Sequence, residues 1–328
     1  MRRDTIIAAV ALAVLLAVPY VLPSRAFADF AIRASAMALF ATSLNLLVGY
    51  TGLVSFGHGM FYGLGAYAFA LTMQRTSLPL PLGVLAALSI TLAAAVVVGA
   101  ICIRLRLIYF AFVTLAMQML AYSIVIAWEP LTGGDQGLQG GIPRRVVAGL
   151  DLGSQWTLYG VSVTVAVLGL LAMRHLTQTP FGLSLRMLRD NEARAGFLGI
   201  TVWRTKLIAF VVAAGFAGLG GVLSSLFVSG AYPELINWPE SGQGIFAIML
   251  GGIDSFLGPL VGTAILLGLN DIVTRYTEYY GLALGIIILI FALGLRRGVL
   301  DVAWPGLRRG RRAPAAARGI KAAEGIKP

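Results

Sequence analysis

Charge is scarce in this sequence: 12% of its 328 residues are Asp, Glu, Lys or Arg, about half the share of an ordinary soluble domain. A soluble chain of this size must cover its surface with polar groups, and 25 basic and 14 acidic side chains are too few. Cysteine is nearly absent too. A lone Cys102 excludes an internal disulfide framework and any Cys-rich metal site. With two histidines, His58 and His175, a zinc enzyme has too few ligands. No paired carboxylates and no nucleophile–base set are visible, so we assign no catalytic residue and no metal. Lysine occurs three times, at Lys206, Lys321 and Lys327, and none follows a glycine. The Gly-Lys pair of a phosphate-binding loop is therefore missing, and with it any ATP site in this chain. A net charge of +11 invites a nucleic-acid reading. That reading needs a basic face on a folded domain, whereas here the charge sits at segment ends and in one tail.

What remains is apolar: 58% of the chain. A hydrocarbon core of about 30 Å needs about 20 mostly apolar residues per helix. Uncharged runs occupy 5–22, 34–49, 56–73, 82–103, 108–127, 156–173, 207–228 and 280–294. A further run, 243–270, holds Asp254 and is interrupted by Gly251, Gly252, Gly258 and Pro259; it crosses twice or re-enters. The expected class is an all-α polytopic integral membrane protein of about ten transmembrane or re-entrant helices, forming one transmembrane unit over 1–306. The bias of Lys and Arg toward the cytoplasm orients it. With Arg2 and Arg3 inside, six of the 25 basic residues fall outside: Arg25, Arg33, Arg75, Arg144, Arg145 and Arg275. Counting 243–270 as a single crossing would export the Arg-rich tail, so both termini are expected in the cytoplasm. Residues 307–328 read as a basic, unstructured cytoplasmic tail that touches anionic headgroups. The N-terminus imitates a secretory signal, but its 18-residue apolar run exceeds the usual 7–15; we read it as a retained first helix.

Three segments carry information. In the loop 174–206, Thr179 and Pro180 form a helix start, and 181–198 read as one amphipathic helix with Phe181, Leu185 and Leu188 on a stripe. Arg186, Arg189, Asp190, Glu192 and Arg194 lie largely off that stripe, and Gly199 is the stop. Such a helix lies on headgroups or docks on a partner, because both uses need the same stripe. Next, Asn45 to Gly59 is rich in glycine (Gly49, Gly52, Gly57, Gly59) and contains Ser55 and His58. Glycines here serve either close helix packing or unwound backbone that lines a cavity, and an ionisable ring beside a bilayer segment is functional by default. Last, Gly52-Leu-Val-Ser55-Phe56 is echoed by Gly252-Ile-Asp-Ser255-Phe256. Paired Gly-interrupted segments are the mark of repeat-built transporters. His58, Glu129, Asp254 and Asp271 are the few ionisable groups near the hydrocarbon, which weakens an ion-coupled mechanism and points to energy from a partner. The Gly133–Gly141 run reads as a turn-rich external loop.

At these segments the chain resembles a known family. Asn45-Leu-Leu-Val-Gly-Tyr-Thr-Gly-Leu-Val-Ser-Phe-Gly-His-Gly59, running on to Tyr67, is similar to the permease subunits of branched-chain amino-acid ABC importers. Thr179-Pro-Phe-Gly182 through Arg189-Asp-Asn-Glu-Ala193 and Leu198-Gly-Ile200 resembles the coupling loop of their LivM-type subunit, and Thr132 to Pro143 resembles its outer loop. The resemblance implies a bacterial inner-membrane importer with a second, homologous permease, two ABC ATPase subunits that use the ATP, and a periplasmic substrate-binding protein. No cofactor would be bound by this chain. It also implies that 180–200 docks on an ATPase, with Glu192 and Gly199 at the motif positions. One departure stands out: the general importer motif reads Glu-Ala-Ala with Gly six residues after the Glu, whereas Ala193 is followed by Arg194 and the glycine lies one position later. Asn45, Ser55, His58 and Gln118 are candidates to line the pathway. Gly52, Gly57, Gly59, Gly251, Gly252 and Gly258 are candidates for backbone breaks whose helix-end dipoles face a zwitterionic solute. Urea or a short amide as substrate, or an ion-coupled carrier working alone, are the competing readings.

Overall fold

In the computed structural model, the described apolar runs fold as helices, though α2 begins at Arg25, well before the expected run 34–49. The structure describes residues 2–21, 24–143, 146–147, 149–276 and isolated positions among 281–300. The expected tail 307–328 and most of the expected span 280–294 lie outside the described residues. The helices are α1 (Arg2–Val21), α2 (Arg25–Asn45), α3 (Gly59–Arg75), α4 (Leu80–Cys102), α5 (Leu107–Ala127), α6 (Glu129–Thr132), α7 (Gln155–Gln178), α8 (Pro180–Asp190), α9 (Glu192–Phe197), α10 (Val202–Val228), α11 (Trp238–Gly251) and α12 (Gly258–Tyr276). A π-helical stretch, Leu46–Thr51, extends α2, and the one strand pair among the described residues is Val146–Val147 with Leu150–Asp151. Five helices there are long and apolar enough to cross a membrane: α2 with its extension, α4, α5, α7 and α10.

Size, more than polarity, decides which face of a helix is buried. Helix α4 is apolar all round, yet it buries Gly83, Ala87, Thr91, Ala95 and Gly99, one residue in every four. Leu82, Leu85, Ile90, Val96, Val97 and Ile101 are turned outward. Lipid solvates those large side chains as well as protein would, so the packed seam is selected by how closely backbones can approach. The same logic places α10 at the centre against α2, α3 and α4. Gly65 of α3 lies on the backbone of Gly218, and Gly221 lies on that of Tyr62. Aromatic side chains fill the remaining core: Phe61 meets Phe210 edge-on with centroids 5.3 Å apart.

The connections sort to two ends. At one end Arg75 donates to Pro130 O at 2.6 Å, Gln74 donates to Gly141 O at 2.9 Å, and Gln155 donates to Asp29 at 2.6 Å. The Thr132–Pro143 loop belongs to this end and is turn-rich, as expected, with positive φ at Gly133, Gly134, Gly137, Gly140 and Gly141. Leu138 pairs with Ala231 there. At the opposite end lie the Gly52–Gly57 and Gly252–Leu257 interruptions and the α8–α9 segment.

Residues 243–270 form a helical hairpin. After α10 the chain folds back along Gly63 of α3 through Leu235 and Ile236. Helix α11 therefore starts beside the beginning of α3, and its 14 residues extend about 21 Å. The chain reverses at 252–257, and α12 returns against α11, with Gly251 touching Gly258 and Gly262 touching Ala247 backbone to backbone. The single crossing rejected on charge grounds does not occur. Arg33 of α2 holds α12 through both oxygens of Asp271, at 3.0 and 2.7 Å.

Candidate functional site

Both interruptions turn on a glycine with positive φ, but they are built differently. In the first, the helix widens at Leu46–Thr51, where the Thr51 hydroxyl donates to Leu46 O at 2.9 Å. Gly52 then takes φ 78° and closes it. In the second, Gly252 takes φ 116°, and its N–H donates to Ile248 O at 2.8 Å. A side chain at either position would be strained, since L-residues avoid this region. The sequence echo thus falls on two helix breaks that each present Ser and Phe three and four residues after the glycine. Gly57 rests on the Thr114 carbonyl of α5, so there the glycine serves close approach.

His58, just before α3, is completely buried. Its ring stacks on Phe40 (centroids 5.5 Å apart, interplanar angle 25°) and meets Phe61 edge-on at 6.0 Å. Nε2 lies 2.9 Å from Ser43 Oγ, whose own proton goes to Phe40 O at 2.7 Å. That arrangement assigns the proton to Nε2 and leaves Nδ1 as a bare acceptor. Nδ1 has no partner among the described residues, nor do either amide atom of Asn45 or the hydroxyls of Thr42 and Ser55. Buried polar atoms are nearly always paired. Thr42, Asn45, Ser55 and His58 thus place unpartnered polar atoms close together beside one break. Asn45 also lies close to Gly49 and, through it, to the Ile253 carbonyl of the second break.

Gln118 differs from those three. Its Nε2 donates to Ile236 O (2.7 Å) and Asn237 O (2.8 Å), and its Oε1 accepts from Ser241 Oγ at 2.7 Å. Ser241 Oγ in turn accepts the Gly59 N–H at 2.7 Å. Every polar atom of this side chain is engaged in tying α5, the start of α3 and the start of α11 together. Sequence reasoning missed Ser43, Ser241 and the carbonyls of Ile236 and Asn237, because their partners are far away in the chain.

The segment 180–199 departs from the single expected helix. It is two, α8 and α9, hinged at Asn191 (φ −164°, ψ 109°), whose side chain accepts from Arg194 N at 2.9 Å. Asparagine offers the backbone this alternative to a continuous helix. Pro180 does open α8, but the Thr179 hydroxyl donates back to Leu176 O instead of capping. Leu185 and Leu188 are buried and Phe181 half-buried, all turned to the bundle. The stripe is covered by this chain's own core, and the exposed apolar residues are Leu183, Phe197 and Leu198. Gly199, with φ 84°, ends the segment as expected.

Charges fasten the segment. Glu192 pairs with the buried ammonium of Lys206 at the base of α10. The guanidinium of Arg186 lies over the Tyr50 ring (5.5 Å) and donates to Thr177 O at 2.8 Å. Arg174, from α7, lies over Phe256 at 5.3 Å. Arg189 donates to Gly49 O and reaches Asp254 at 3.5 Å.

A helical bundle apolar enough to span a bilayer, with paired helix breaks at one end and a charged segment strapped across them, defines a membrane transport subunit. Residues 26–293 match the family described as "Branched-chain amino acid transport system / permease component", and the chain belongs to it. It is 29% identical over 308 residues to the high-affinity branched-chain amino acid transport system permease protein LivM of Escherichia coli K12, covering 87% of this chain and 72% of the relative. LivM of Salmonella typhimurium is 28% identical over the same shares. The LivH permease protein of Escherichia coli K12 is 24% identical over 277 residues, 78% of this chain and 89% of the relative. No solved structure matches.

Proposed function

We propose that this chain is a transmembrane permease subunit of an ATP-driven importer for branched-chain amino acids in the bacterial inner membrane. The family match over 26–293 supports this reading. A second, homologous permease completes the pathway, two ATPase subunits supply the energy, and a periplasmic binding protein delivers the solute. The end that carries the breaks and α8–α9 faces the cytoplasm, along with both termini.

An aliphatic zwitterion needs polar partners for its ends and an apolar wall for its side chain. Asn45, Ser55 and His58 Nδ1 supply unengaged donors and acceptors beside Phe40 and the first break. Gln118 belongs to the scaffold of that place. The ATPase meets Leu183, Phe197 and Leu198, with Arg186, Arg189 and Glu192 holding the segment to the bundle from within. ATP binding closes the ATPases and biases a two-state bundle through this segment.

The test is reconstitution of the chain with its second permease, both ATPases and the binding protein, followed by uptake of labelled leucine, isoleucine and valine. Uptake that needs ATP and all partners is expected. Uptake by the chain alone on a proton or sodium gradient would make it a secondary carrier. ATP-dependent uptake of urea or an amide in place of these amino acids would move the substrate class.

A further inference from the structure

Arg189 is the one residue of α8 whose side chain is bonded to both helix breaks. Its guanidinium donates to the carbonyl of Gly49, in the widened end of α2, and to the carboxylate of Asp254, in the α11–α12 turn at 3.5 Å. The stem also packs on the first break. A Cβ placed on Gly52 would stand 3.3 Å from Arg189 Cγ and 3.5 Å from its Cα. Gly52 therefore lies directly against α8, in the left-handed conformation that ends the widened turn. Arg186 lies over Tyr50 of the first break, and Arg174, from α7, lies over Phe256 of the second.

At the two breaks the helices stop and the chain turns on Gly52 and Gly252, so bending there disturbs few helix hydrogen bonds. The breaks also belong to the two copies of the sequence echo, far apart in the chain. A planar guanidinium has donors on separate nitrogens in a fixed fork, so one side chain holds two acceptors at a set distance.

We infer that Arg189 is a positioning residue that makes the two breaks move together when α8 is displaced. This rests on the reading of α8–α9 as the ATPase-coupled segment. The guanidinium then converts one displacement into matched bends in α2–α3 and α11–α12, so that hydrolysis is not expended on half a transition. Asp254 is the second anchor, with its side chain 43% exposed, which makes it a mild place to mutate.

The experiment uses the complete importer in proteoliposomes and reads labelled amino acid taken up per ATP hydrolysed. Arg189→Ala and Arg189→Met should both lower that ratio about five- to tenfold, within the range for coupling residues, while the ATPases still co-purify. Arg189→Met keeps the stem on Gly52 but has no fork. Arg189→Lys, with its shorter reach, should recover part of the ratio. Asp254→Asn should lower it about two- to threefold. A wild-type ratio in Arg189→Met overturns the inference, because the role would then be packing. If the Arg189 variants do not assemble, Asp254→Asn decides by itself, and a wild-type ratio there overturns the inference. Failure of the underlying reading looks different: wild-type uptake would proceed without the ATPases.

Discussion

The bonds of Gln118 separate a structural brace from a pathway residue, and their loss can be sized. Leucine at 118 has nearly the same volume and no polar atom. The substitution removes three hydrogen bonds, those to Ile236 O, Asn237 O and Ser241 Oγ. Hydrogen bonds within membrane bundles average about 0.6 kcal/mol each, which gives a floor of about 2 kcal/mol. Two orphaned carbonyls in a dry interior raise the ceiling to about 6 kcal/mol. Ser241 keeps its bond from Gly59 N and limits the damage. We expect Gln118→Leu to destabilise the chain within that interval, measured as reversible unfolding in mixed micelles by tryptophan fluorescence. Ser241→Ala should also destabilise it. The double variant should lose less than the sum by at least about 0.5 kcal/mol, because the two residues share a bond. The substrate KM of the folded fraction should not change. A Gln118→Leu chain of wild-type stability with a raised KM would refute the reasoning and return Gln118 to the pathway.

His58→Ala should reduce uptake more than it reduces the amount of folded protein, and Asn45→Leu should do the same; a pure loss of expression in both would show that these residues serve packing alone. Gly57→Ala places a methyl group against the Thr114 backbone, which no rotamer can relieve, and should sharply lower folded yield, seen by size-exclusion fluorescence. Glu192→Gln leaves the buried ammonium of Lys206 with an amide acceptor but no counter-charge and should destabilise by about 1–3 kcal/mol. Adding Lys206→Met should restore most of that stability in the same unfolding assay, because it removes the one buried charge of the pair. Phe197→Glu should weaken co-purification of the ATPases with insertion intact, whereas wild-type co-purification would remove this residue from the docking face.

How much of this was legible in the sequence depended on whether the signal was local. The limits of α4 and α5 followed from uncharged length, because the bilayer sets that length for a spanning helix, whereas α7 runs past its uncharged stretch through Arg174 and α10 begins before its own, at Val202, and takes in Arg204 and Lys206. The glycine echo at Gly52 and Gly252 marked the two breaks, since positive φ is a property of one residue and its neighbours. Orientation within the bundle was not legible. In water an apolar stripe names the buried face, but in lipid both faces of α4 are apolar and only the four-residue spacing of Gly83, Ala87, Thr91, Ala95 and Gly99 distinguishes them. That spacing was available and went unread.

The α8 segment shows the converse difficulty. Its stripe of Phe181, Leu185 and Leu188 is a correct reading of periodicity, and periodicity says that a face is apolar without saying what covers it. Here the chain's own core covers it, which is why the proposed ATPase contact is placed on the opposite side. The same burial gives the segment its mechanical value. A helix that docked only by its stripe could leave the bundle when its partner moved. In the proposed function, one that is packed inward by Leu185 and Leu188, and tied by Arg189 to both breaks and by Glu192 to α10, carries the bundle with it. On that proposal, an ATPase pushing on Leu183, Phe197 and Leu198 moves α2, α10 and the α11–α12 turn together. Arg186→Leu tests the weakest of these ties. Its guanidinium bonds Thr177 O within the segment's own approach and touches only the Tyr50 ring beyond it, a contact of about 0.5–2 kcal/mol. The loss of uptake per ATP should therefore be smaller than for Arg189→Met. The reverse order would mean that the ring contact at Tyr50, and not the bridge between the breaks, carries the motion.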